Sequence, residues 1–136
     1  MTPSAVALLG FALWTIILVI LLAVFRVSMV VAGKKSAASF SPNGDDVEGF
    51  GRRLTRAHAN CFENLPLAGA VLLYAIATSQ SAVTDGLAIA FLGARVMQSL
   101  THLASTSAFA VNVRFAFFVI QILILIFWIL KLAHLI

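Results

Sequence analysis

Two groups of polar residues in this chain sit at helical spacing within otherwise apolar sequence. Arg56, Asn60 and Glu63 lie at i, i+4 and i+7. At 3.6 residues per turn, these three side chains share one helix face. Arg95, Gln98 and His102 lie at i, i+3 and i+7 and share another. Arginine grips carboxylates through paired hydrogen bonds. A glutamate suits an ammonium group, and side-chain amides suit peptide amides. A small zwitterionic peptide with a surplus carboxylate satisfies all three demands. Glutathione is such a molecule, and other amino-acid-like anions meet the same demands less fully.

Arg95 is the sharper anomaly. Nine uncharged residues precede it, back to Gly86, and eighteen follow it, up to Val113. A charge at bilayer depth costs at least ~2.5 kcal/mol and normally faces a partner inside the bundle. Glu63 is the one acid expected at that depth, so the two stripes should face each other or a neighbouring subunit. Two interpretations fit the spacing. In the first, Arg95 and Glu63 form a structural ion pair, with Asn60 and Gln98 as hydrogen-bonding glue between helices. In the second, the residues line a binding pocket. Two arginines, an acid, two amides and a histidine exceed what one structural pair requires.

The surrounding composition names the solvent. The chain has 136 residues, of which 62% are hydrophobic and 10% charged. Soluble domains carry roughly 25% charged residues. The expected class is an all-α membrane protein, a single domain over 1–136 built as a four-transmembrane-helix bundle. Its helices are expected at about 4–32, 51–79, 83–105 and 111–134. Ser4 to Phe25 lacks any charge, is too long for a signal peptide and has no basic n-region, so it reads as a retained span. The stretch from Gly33 to Gly51 is polar and turn-rich, with "SPNGDD" as its turn. Pro66 removes a backbone donor and is expected to kink the second helix.

Six of the nine basic residues lie between Arg26 and Arg56. By the positive-inside rule, the first and third loops face the cytoplasm and both termini the other side. Lys131 is a weaker signal in the opposite sense. No basic run is interleaved with stacking aromatics, so nucleic acid is not an expected partner. One cysteine, Cys61, excludes an intrachain disulfide and reads as a buried, inert thiol. His58 reads as a packing or interface residue, and Trp14 and Trp128 as packing or lipid-facing aromatics. No metal-ligand spacing, Gly-rich phosphate loop, paired catalytic carboxylates or Ser-His-Asp set is present.

The segment "RLTRAHANCFENLPL" resembles the opening of the second helix in the MAPEG superfamily, the membrane-associated proteins in eicosanoid and glutathione metabolism. The pattern R-A-x-x-N-x-x-E-x-x-P is filled by Arg56, Ala57, Asn60, Glu63 and Pro66. The resemblance extends over nearly the whole chain and points to a bacterial-type or microsomal glutathione transferase-like member. It implies a homotrimer with glutathione as co-substrate in clefts between subunits. By position it implies that Arg56, Asn60, Glu63 and Arg95 bind glutathione, with Gln98 beside them and Lys34 holding a carboxylate. It implies that Arg114, opening the fourth helix, stabilises the thiolate. His102 stands where many relatives carry a tyrosine, and is expected either to replace its hydrogen bond or to cap the helix end. The implied function is a membrane-embedded glutathione-dependent transferase or peroxidase whose second substrate is a lipophilic electrophile. The alternative is a non-catalytic membrane scaffold or glutathione-binding protein.

Overall fold

The structure is a computed structural model that describes residues 1–136. It contains no strand. Four long helices follow one another: α1 (Pro3–Val31), α2 (Phe50–Ala77), α3 (Ser81–Ala104) and α4 (Ala108–Leu132). Each is long and apolar enough to cross a membrane.

Local chemistry sets the helix ends. Thr2 caps α1 by accepting from the Ala5 amide at 3.3 Å, with Pro3 following at the first helical position. At the other end, Gly33 takes φ +68°, and the Lys34 amide bonds back to the Met29 carbonyl at 3.0 Å. That is the left-handed helix stop that glycine permits. Ser107 caps α4 through the Ala110 amide at 3.2 Å. This cap starts α4 three residues before the expected position, because a Ser can end a loop that composition alone prolongs. α2 continues through Pro66 without interruption.

α1 packs on α2 and α3, and α3 packs on both α2 and α4, whereas α2 and α4 meet only lightly. An aromatic column crosses the bundle from α1 through α3 to α4. Phe11 and Phe91 have ring centroids 6.3 Å apart, and Phe91 and Trp128 5.4 Å apart. Leu18, Leu54, Leu72 and Leu125 belong to the same buried core. Close approach of α1 and α2 depends on Gly51, where an added Cβ would run into the Phe25 ring. Outward-facing Leu, Ile, Val and Phe side chains stay exposed along all four helices. That is a stable arrangement only where lipid replaces water.

Polar clips close the two ends. At the start of α1, the Ser4 amide and hydroxyl donate to Asp85 Oδ1 on α3 at 3.0 and 2.5 Å. The carboxylate thus meets the positive end of α1 and satisfies one of its free amides. At the opposite end, residues 33–49 fold back over the bundle. Gly44 takes φ +77° in the expected turn, and Lys35 pairs with Asp46 at 2.9 Å. That ammonium holds the Asp46 carboxyl below the usual carboxylate range. The Arg26 guanidinium and the Lys35 ammonium both lie 5.4 Å from the Phe40 ring centroid.

Candidate functional site

The light contact between α2 and α4 leaves a groove floored by α3. It opens at the end of the bundle that carries the 33–49 loop. Two chambers occupy it. The outer one, of about 520 Å³, is lined without any hydrophobic residue, chiefly by Glu48, Arg52, Arg53, Arg56, His102 and Arg114. The inner one, of about 300 Å³, is lined by Asn60, Gln98, His102 and Arg114 on its polar side. Val111, Phe115 and Phe118 of α4 form its apolar side. His102 and Arg114 belong to both chambers. Both volumes suit a small ligand.

The outer chamber is strongly electropositive, with four arginines set against one glutamate. Two of the arginines are committed. Arg53 Nε donates to the Leu103 carbonyl at 2.7 Å, which ties α2 to the C-terminus of α3. Arg52 pairs loosely with Asp45 at 3.6 Å on the surface. Arg56 and Arg114 have no hydrogen bond or ion pair within the chain. Their guanidinium groups remain available to a bidentate anion such as a carboxylate.

Helix periodicity explains how the inner chamber is built. Asn60 lies about 40° around α2 from Arg56, on the side of α3, while Glu63 lies about 20° the other way. The two are therefore not equivalent, although they share a stripe. Arg95, 1% exposed, donates from Nη1 to Asn60 Oδ1 at 2.6 Å. Its guanidinium also lies 5.2 Å from the Phe11 ring centroid. The expected pairing of Arg95 with Glu63 does not form within the chain. Glu63 turns outward and is exposed, because Asn60 occupies the angular position that meets α3. Lys34 is also exposed and lines neither chamber. Arg56, Asn60, Gln98, His102 and Arg114 are thus brought together. Arg95 stands behind them, and Glu63 and Lys34 stand apart.

His102 makes no hydrogen bond to a helix-end carbonyl. Arg53 performs that role at Leu103, so the imidazole is left facing the chambers. Cys61 is fully buried, with its Sγ 3.2 Å from Ser99 Oγ. His58 stacks on Phe62 with centroids 6.2 Å apart. Trp128 is fully buried and Trp14 partly so. Tyr74, the one tyrosine, lies at the far end beside an apolar groove with Ile129 and Leu132. No cluster of His, Cys, Asp or Glu could hold a metal ion.

Sequence reading passed over Gln121. It is 1% exposed on α4 and donates from Nε2 to Gln98 Oε1 and to the Phe117 carbonyl, each at 2.8 Å. A signal for it was present. Gln121 is the one polar residue from Phe115 to Leu130, and it follows Arg114 by seven positions. A lone amide in an apolar span at that spacing marks an interhelical hydrogen bond. Arg52 and Arg53, part of the basic run between Arg26 and Arg56, also line the outer chamber.

An all-helical bundle with four membrane-length helices defines a multi-pass integral membrane protein, and a basic, amide-backed groove opens at one end of it. A sequence model of the MAPEG family matches residues 4–134, and the chain belongs to that family. No curated protein and no solved structure matched the chain.

Proposed function

We propose that this protein is a glutathione-dependent transferase or peroxidase, of the microsomal glutathione transferase-like kind. The observation that carries this reading is the pair of free guanidinium groups, Arg56 and Arg114, on chambers that also present two amides and an imidazole. Arg56 and its neighbours in the outer chamber suit the carboxylates of glutathione. Asn60 and Gln98 suit its peptide groups or sulfur. The chain's own thiol is sealed beside Ser99, so a reacting thiol would come from the ligand.

A free thiol of pKa about 8.5 is mostly protonated at neutral pH, and a neighbouring cation favours the thiolate. Arg114 supplies that cation, and His102 a hydrogen bond beside it. The thiolate sulfur then forms a bond to an electrophilic carbon, whose displaced electron pair leaves with the departing group or opens a ring. With a hydroperoxide it attacks the outer oxygen instead: an S–O bond forms as the O–O bond breaks, the sulfur is oxidised to a sulfenic acid, and the departing alkoxide takes up a proton. Phe115 and Phe118 give the inner chamber an apolar side toward lipid, which suits a lipophilic second substrate arriving from the bilayer.

Glu63 and Lys34 fit a cleft completed by a neighbouring subunit of a homotrimer, since both face away from the chambers of their own chain. The basic loop supports a chamber mouth on the cytoplasmic side with both termini opposite. The test is calorimetric binding of glutathione to detergent-solubilised protein, followed by conjugation of a generic aryl halide. Micromolar to millimolar binding with turnover is expected. Absence of binding would overturn the reading.

One observation favours a second reading, a binding protein without catalysis. No tyrosine borders either chamber, since Tyr74, the one in the chain, is at the far end of the bundle, and by the resemblance His102 stands where many relatives carry a phenol. Glutathione binding without turnover of any electrophile or hydroperoxide would select it.

A further inference from the structure

Asn60 and Gln98 each have an oxygen that accepts and a nitrogen that donates. Which of the two meets a ligand depends on what stands behind the amide. Behind Asn60 is Arg95, whose Nη1 donates to Oδ1 at 2.6 Å. A guanidinium has no acceptor, so Asn60 must present its oxygen to Arg95. Its Nδ2 is left without a partner in the chain, at the wall of the inner chamber.

Behind Gln98 is Gln121. The Phe117 carbonyl accepts from Gln121 at 2.8 Å, and a carbonyl only accepts, so the bonded atom is the amide nitrogen. The second hydrogen of that nitrogen goes to Gln98 Oε1 at 2.8 Å. Gln98 therefore spends its oxygen on Gln121 and keeps its own nitrogen free for the chamber it lines. Gln121 does not line either chamber and is 1% exposed. Its own oxygen is buried without a partner. Such an unmet acceptor is costly, and a leucine would fill the space without it. What the amide adds is the orientation of Gln98.

We propose that Gln121 is a positioning residue which, with Arg95 behind Asn60, makes the inner chamber a donor-lined site for an anionic sulfur. Two NH2 groups and the Arg114 guanidinium then converge on one volume. An acceptor bearing negative charge is favoured there over the same ligand with a neutral sulfur. This rests on the glutathione reading and adds the source of its selectivity for thiolate.

The experiment compares glutathione with S-methylglutathione, whose sulfur cannot ionise. Binding of both is measured by calorimetry, and thiolate formation is followed by ultraviolet absorbance against pH. In Gln121→Met, a size-matched change, glutathione should bind about tenfold more weakly, with S-methylglutathione within about twofold. The thiolate absorbance should also appear at higher pH. A merely structural glutamine would weaken both ligands equally, and that result, or no change in either, overturns the proposal. Gln98→Met should show the same selective loss, and combining it with Gln121→Met should add nothing, because Gln121 acts through Gln98. A further loss in the double variant overturns the proposal, as does an unselective Gln98→Met if Gln121→Met does not fold. Wild-type protein that binds neither ligand overturns the glutathione reading itself, and this proposal with it.

Discussion

Arg95 on α3 donates a 2.6 Å hydrogen bond to Asn60 on α2, and both groups lie well within the span of their helices. Breaking that bond from its two ends should not cost the same. Asn60→Leu strands a buried guanidinium, and hydrogen bonds to charged groups are worth about 1.5–3 kcal/mol. Arg95→Met removes the charge and leaves a neutral amide that borders a chamber. Asn60→Leu should therefore melt at the lower temperature in detergent, followed by tryptophan fluorescence. The opposite order would show that Arg95 is held mainly by other contacts.

Arg56→Ala should weaken glutathione binding by more than tenfold, or roughly 1.4 kcal/mol, because Arg56 is one of two uncommitted guanidinium groups on the outer chamber. Glu63→Gln should produce a loss of similar size, although Glu63 faces outward, if a neighbouring chain completes the cleft. Calorimetry on folded, sized protein checks both. Loss in Arg56→Ala with no loss in Glu63→Gln would place the ligand within one chain.

His102 borders both chambers and leaves the helix-end carbonyl to Arg53. His102→Phe should keep the fold while the apparent pKa of bound glutathione thiol rises. The sign follows from the chemistry, since removing a donor from beside a thiolate favours the protonated form. An ultraviolet titration that superimposes on wild type would assign His102 to packing.

The Lys35–Asp46 clip should be pH-dependent at the acidic end only. The Asp46 carboxyl is held below its usual range by Lys35. Its contribution is therefore fully present above the unfolded value of about 3.9, and is lost as pH falls through the lower folded value. Hydrogen exchange in residues 33–49 should be faster in Asp46→Asn than in wild type at pH 7. Below that folded value, the two proteins should exchange alike. A difference that persists in strong acid would show that the carboxylate charge is not what holds the loop.

Much of this architecture was readable from local pattern. α1 and α4 are predominantly apolar, and their lengths match a bilayer. Helix ends moved by up to three residues because caps such as Ser107, not hydrophobicity, end the loops. The site was readable as two polar stripes, since side-chain direction repeats every 3.6 residues. Gln121 was passed over because one amide in an apolar run shows nothing of the neighbour it meets.

The sequence by itself determined the solvent, the four helices and the polar face that α2 and α3 each present, because these depend on composition and on periodicity within one segment. The tertiary structure decided which polar group meets which. It gave Arg95 to Asn60 and turned Glu63 outward, a choice governed by about 60° of angular position on α2. It also held α4 far enough from α2 to leave a groove, and it set Gln121 behind Gln98. These outcomes depend on how helices distant in sequence pack and cross, and no spacing within a single helix encodes that.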